Sequence, residues 1–145
     1  MSRIRSTWAV TAVLAVSAAG GASLAGAQGA PDPASITPAM IALGDSIFHG
    51  RVGGALCQIC HGPGAKGVNP LGPSLVDKEW LHGDGSYAFL IQLVNDGVAK
   101  PKKAAAPMPA KGGGQLTHAQ IQAVAAYVFS LQQKDGSDQA GRTGG

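Results

Sequence analysis

Cysteine is nearly missing from this sequence: Cys57 and Cys60 are the only two in 145 residues. A single possible pair excludes a disulfide-stapled scaffold. A second Cys-x-x-Cys is also missing, and a four-ligand structural zinc site would want one. Aromatic residues make up only 5%, so the 45% hydrophobic content rests mainly on Ala, Val and Leu. A chain of this size has trouble building a large core from such side chains. A bulky apolar prosthetic group would remove that difficulty. No segment alternates apolar and polar residues at period two, which argues against a β-sheet, and no internal repeat is present.

Long hydrophobic runs are also lacking. The longest, residues 8–19, falls short of the ~20 residues of a membrane-spanning helix. It follows the basic Arg3 and Arg5 and precedes Ala25-Gly26-Ala27, the small-residue pattern of a cleavage site. This is the form of a secretory signal peptide over residues 1–27, with an uncleaved N-terminal anchor as the alternative. No cysteine adjoins the site, which argues against a lipid anchor. Secretion to the periplasm follows, with no membrane span after cleavage. The remaining chain has nine basic against eight acidic residues, a net charge of +1 rather than the +3 of the full sequence. That balance gives no support to nucleic-acid binding.

What is abundant is glycine, 22 residues, with 9 prolines, pointing to many loops and short elements. Residues 28–37 read as a flexible leader. Thr37 and Pro38 predict a helix start, with Ile41, Gly44 and Phe48 on one face. A second helix is predicted near residues 86–95, with Phe89, Leu90, Leu93 and Val94 on one side and Gly97 as its stop. Residues 98–114 read as an extended loop. Thr117 followed by Gln120 is a capping box. It opens an amphipathic helix with Ile121, Val124, Ala125, Val128 and Leu131 at helical spacing. Residues 133–145 have the composition of a disordered tail. One domain, residues 38–132, is left.

The chemistry concentrates in Cys57-Gln58-Ile59-Cys60-His61. Two thiols two residues apart match the vinyl groups of a haem, where thioether bonds form, and the adjacent imidazole becomes the iron's proximal ligand. Thiol–disulfide chemistry on the same motif would want a βαβ scaffold, which the pattern does not supply. The second axial ligand would be a thioether or another imidazole. Of Met40 and Met108, Met108 is favoured, because Pro107 and Pro109 hold its backbone extended. His82 is the rival, while His49 and His118 lie where solvated histidines are ordinary.

Gly44 and Phe48, Cys57-x-x-Cys60-His61-Gly62, Gly72-Pro73-Ser74-Leu75, Met108-Pro109, and Tyr127 in a final helix follow one another in the order of class I cytochrome c, which the chain resembles. Residues 75–83 with Met108-Pro109-Ala110 and Tyr127-Val128 are similar to the haem domains of cbb3-type oxidase subunit P, and to soluble periplasmic carriers. The resemblance implies an all-α cytochrome c fold, three to four helices around one covalently bound haem c. It implies that Pro73 accepts a hydrogen bond from the His61 ring, and that Gly44 lets the first and last helices cross beside Phe48 and Tyr127. It also implies that Trp80 reaches a haem propionate; a plain core tryptophan is the competing reading. Residues 100–106 are longer than the family pattern.

The haem-binding set is thus Cys57, Cys60, His61, Pro73, Trp80 and Met108, with His61 and Met108 on the iron. The expected function is one-electron transfer, not catalysis, with a periplasmic dehydrogenase or a terminal oxidase as redox partner. A haem subunit of such a complex, or a haem enzyme or sensor with a labile sixth ligand, is the alternative. Lys66, Lys100, Lys102, Lys103 and Lys111 fall in loops around the expected haem edge, as a docking patch or as simple solvation.

Overall fold

The computed structural model describes residues 31–140. The candidate signal peptide and the extreme C-terminus lie outside them. Four α-helices carry the fold: α1 Pro38–Phe48, α2 Cys57–His61, α3 Tyr87–Asp96 and α4 His118–Ala140. Among the described residues there is no strand, only two isolated bridges, Val68 with Gly72 and Val98 with Met108. The fold is all-α, as the sequence implies.

Local chemistry explains where each helix starts. The Thr37 hydroxyl accepts the Met40 amide at 3.2 Å, and Pro38 sits in the first turn, where a missing N–H leaves nothing unpaired. Ser86 caps α3 in the same way, accepting the Phe89 amide at 3.2 Å. At α4 the capping box is reciprocal. The Gln120 amide donates to the Thr117 hydroxyl at 3.3 Å, and the Thr117 amide donates to the Gln120 side chain at 2.8 Å. The helical backbone of α4 continues to Ala140, into the stretch whose composition reads as a tail. Gln132 and Gln133 favour helix and extend it. Ahead of α1, in the stretch read as a flexible leader, Asp32 caps a short 3-10 turn, Pro33–Ser35.

The loop expected over residues 98–114 is not wholly extended. It contains a 3-10 turn, Ala110–Gly113, in which Lys111 and Gly112 take left-handed φ values of 56° and 61°. Tertiary pairing makes this turn: the Gly112 carbonyl accepts the Leu56 amide at 2.9 Å.

α1 and α4 cross at Gly44. A Cβ there would overlap the Ala123 carbonyl and stand 2.7 Å from the Tyr127 Cβ. The bare glycine therefore sets the approach, and the Phe48 and Tyr127 rings pack beside it with centroids 5.3 Å apart. On its other side α4 meets α3. Tyr87 is 1% exposed, and its hydroxyl donates to the Gln122 carbonyl at 3.2 Å. Ala123, Ala125 and Ala126 are buried together with Ile121, Val124 and Val128. α4 is thus covered on more than its amphipathic face, because α1, α3 and a cleft all lean on it.

Candidate functional site

α2 is a single turn, too short to stand alone, so its neighbours hold it. The Leu56 amide bonds the Gly112 carbonyl at one end, and the His61 carbonyl accepts the Gly67 amide at 2.8 Å at the other. Gly72 packs on the backbone of Cys60, where an added Cβ would come 2.7 Å from the Cys60 carbonyl oxygen. That close approach carries Pro73 to His61. The His61 Nδ1–H donates to the Pro73 carbonyl at 2.8 Å. The bond fixes the tautomer and leaves Nε2 as a lone pair. Burial pushes the His61 pKa below its ordinary value of 6.5, and the bond to Pro73 works against that shift. The imidazole is therefore neutral at pH 7, the form that ligates a metal.

Cys57 and Cys60 are free thiols on this turn. Burial raises the pKa of Cys57, the effect of a backbone hydrogen bond being smaller and opposite. Both thiols border an apolar cleft. One lobe, with about 790 Å³ of empty space, is walled by Phe48, Leu90, Leu93, Val94, Val124 and Val128. A second lobe, with about 880 Å³, lies under the loop before Pro109, against Leu56, Ile59, Leu71, Ala104 and Pro107. Cys57, His61, Pro73, Leu81, His82 and Met108 border both lobes.

Met108 reaches the cleft on a fixed backbone. Its amide donates to the Val98 carbonyl at 3.0 Å, and its carbonyl accepts the Val98 amide at 2.9 Å. Gly97, at φ 71°, makes room for this pairing, since a Cβ there would overlap the Met108 carbonyl. Residues 100–106, which lead into Met108, are tied down as well. Lys103 Nζ holds both Glu79 carboxylate oxygens at 2.7 and 2.8 Å, and the Ala105 amide donates to the Pro70 carbonyl at 2.8 Å.

Trp80 borders the first lobe, with its ring laid against Gly85. The other candidate axial ligands fall in different places. Met40 and His118 border a different surface cavity. The His49 ring nitrogens face the Asp45 carbonyl at 2.8 Å and the Pro63 carbonyl at 3.0 Å, tying the end of α1 to the loop after α2. His82 lines the cleft itself, and its Nε2 is buried without a hydrogen-bond partner among the described residues. Of the loop lysines, Lys102 and Lys103 border the second lobe, but Lys103 is engaged by Glu79.

Sequence reasoning missed the Val98–Met108 bridge and the Leu56–Gly112 bond. Both join residues distant in sequence, and only Gly97 hinted at the first. Among the described residues no cluster of three His, Cys, Asp or Glu side chains could hold a bare metal ion. The donor set is instead two thiols, a neutral imidazole and a thioether around an apolar cleft, with one buried polar atom left over. That set fits a haem.

Residues 41–128 match the family model described as cytochrome c oxidase, cbb3-type, subunit III. The chain is 38% identical over 88 residues to the cbb3-type cytochrome c oxidase subunit CcoP of Rubrivivax gelatinosus, covering 58% of this chain and 25% of the relative. It is 42% identical over 76 residues to subunit FixP of Bradyrhizobium diazoefficiens, covering 52% and 23%. With subunit CcoP of Rhodobacter capsulatus it shares 44% over 78 residues, covering 52% and 25%. The chain thus spans about a quarter of the length of these relatives. No solved structure gives a significant match. No helix among the described residues is long and apolar enough to cross a membrane. With one Cys-x-x-Cys-His motif at the cleft and the family model spanning most of the helical domain, the chain belongs to the cbb3-type cytochrome c oxidase subunit III family, as a class I monohaem cytochrome c domain whose cofactor is covalent haem c.

Proposed function

We propose that this chain is a periplasmic one-electron carrier, its haem c held by thioethers at Cys57 and Cys60 and ligated by His61 and Met108. The observation that carries the reading is the cleft itself. It is bordered at once by a neutral imidazole fixed through Pro73 and by a methionine whose backbone is pinned in both directions to Val98.

When bound, the haem supplies a reversible Fe(III)/Fe(II) couple. The chain's own residues set its surroundings. His61 presents Nε2 because Nδ1–H is committed to Pro73, which also raises the ring's donor strength. The Met108 thioether, softer than a second imidazole, raises the potential. Phe48, Leu90, Val94, Val124 and Val128 would keep water from a bound haem, and Trp80 would reach a propionate through its ring N–H. Leu56 and Ile59, each 58% exposed, border the mouth of the second lobe, where a redox partner would gain access to a bound haem, and Lys102 nearby would attract an acidic partner. A periplasmic dehydrogenase or a terminal oxidase is the partner class, and the oxidase names of the relatives favour the second. Residues 1–27 act as the export signal.

Those names also favour a second reading, in which the domain works docked as a subunit of an oxidase or dehydrogenase complex. Recovery in the soluble periplasmic fraction supports the free carrier; co-purification with a membrane complex supports the docked one. The ligation is tested by Met108→Ala in the holoprotein. The expected result is loss of the long-wavelength Met–Fe(III) absorption band and a lower potential, with haem still covalently attached. An unchanged band would overturn ligation by Met108 in favour of Met40, and a wild-type c-type spectrum without the band would move the sixth site to His82 or leave it open, reopening the haem enzyme and sensor readings.

A further inference from the structure

The polar groups around the cleft are nearly all spoken for. His61 Nδ1 is committed to Pro73, the Ser74 hydroxyl accepts the Val76 amide at 3.2 Å, and the Gln132 side chain donates to the Leu75 carbonyl. Glu79 and Lys103 hold each other. His82 differs: its Nε2 is buried and has no hydrogen-bond partner among the described residues. Its placement is not loose. Gly83 follows it directly and Gly85 comes two residues later, at φ 66° and 73°. The Phe89 ring lies on Gly83 and the Trp80 ring on Gly85, each so close that a Cβ would overlap it. A turn built this tightly holds the imidazole against the cleft.

A buried, unpaired ring nitrogen on a fixed turn calls for a partner from whatever fills the cleft. A haem offers polar contacts at two places, the iron and the two carboxylates. With Met108 on the iron, only a carboxylate remains. We propose that His82, with the proton on Nε2, donates a hydrogen bond to a haem propionate, and so acts as a positioning residue that holds that edge and raises the reduction potential. This rests on the His61/Met108 reading above. The physical reason for the sign is that an unscreened propionate charge favours Fe(III), and a donor that draws on that charge favours Fe(II).

The test is made on the holoprotein. His82→Phe keeps a ring of similar shape and removes the donor, while His82→Gln restores an N–H. The expected result is a lower potential and a shifted propionate bending mode in the resonance Raman spectrum of His82→Phe, partly restored in His82→Gln, with the Met–Fe(III) band intact in both. In the wild-type holoprotein, which needs no variant to fold, the same mode should shift on transfer to D2O. An unchanged potential and mode in His82→Phe, or no D2O shift, would overturn the proposal and leave Met108 ligation standing. Loss of the iron's sixth ligand in His82→Phe, with Met108→Ala unaffected, would overturn both by making His82 the ligand.

Discussion

At His61 burial and a hydrogen bond pull in opposite directions, and burial wins, so the ring stays neutral where a ligand must be neutral. Burial acts alone at Tyr87 and leads at Tyr127. Tyr87 and Tyr127 are the only two in the chain, and burial is the first cause raising both above the ordinary value of 10, with the Asp45 carboxylate adding to the rise at Tyr127. The neutral phenol is thus favoured by the fold. Below about pH 10 both states are protonated and the contribution to stability is whole. Above it the unfolded chain ionises first, binds fewer protons, and stability falls until the folded pKa is passed. An ultraviolet titration of the folded protein should therefore place the phenolate step above that of the unfolded chain. Coincident steps would show that the phenols are not shielded. Much at this scale was legible in sequence, because Cys57-x-x-Cys60-His61 and Pro107-Met108-Pro109 are local patterns. The orphaned His82 nitrogen was not. It depends on two glycines allowing Phe89 and Trp80 to close over the turn, which only the packed structure reveals.

The starts of α1 and α4 were legible for the same local reason, since Thr37 and the Thr117/Gln120 pair bond within three residues; the Ser86 cap on α3 and the single turn of α2 were not singled out. Elements made by distant pairing were not legible. The Met108 loop read as extended from its prolines, yet its position comes from Val98, and the 3-10 turn at Ala110–Gly113 comes from Leu56. Gly97 connects the two levels, since it ends α3 and opens the space for Met108. Gly97→Ala should cost more than about 1 kcal/mol through its positive φ. Beyond that, the overlap with the Met108 carbonyl should loosen the loop. Thermal melts and the optical spectrum should show lower stability and a weakened Met–Fe(III) band with haem content unchanged. A wild-type band in a destabilised protein would mean that the Val98 bridge does not position Met108.

The whole molecule is a set of helices leaning on a space. α4 gives Val124 and Val128 to the cleft wall, and α3 gives Leu90 and Val94. The core they share is poor in aromatics, only 5% of the chain. Haem completes the packing that these small side chains cannot. The apoprotein should accordingly lose its cooperative thermal melt and much of its helical circular dichroism. A native-like spectrum and melt without haem would show that the chain closes its own core. The fold class was legible at this scale through the resemblance, with the helical spacing of three segments and the lack of period-two patterning in agreement. The crossing of α1 on α4 was legible only through the resemblance that singled out Gly44.

The central claim is a single covalent haem c serving one-electron transfer, and its most direct test is a visible absorption spectrum of the protein expressed with periplasmic export, oxidised and then reduced. The account predicts a c-type spectrum that converts reversibly between the two states, with colour retained on the denatured chain and lost when Cys57 and Cys60 are both replaced by Ala. A colourless protein, or haem released on denaturation, would contradict it and return the two cysteines to thiol chemistry.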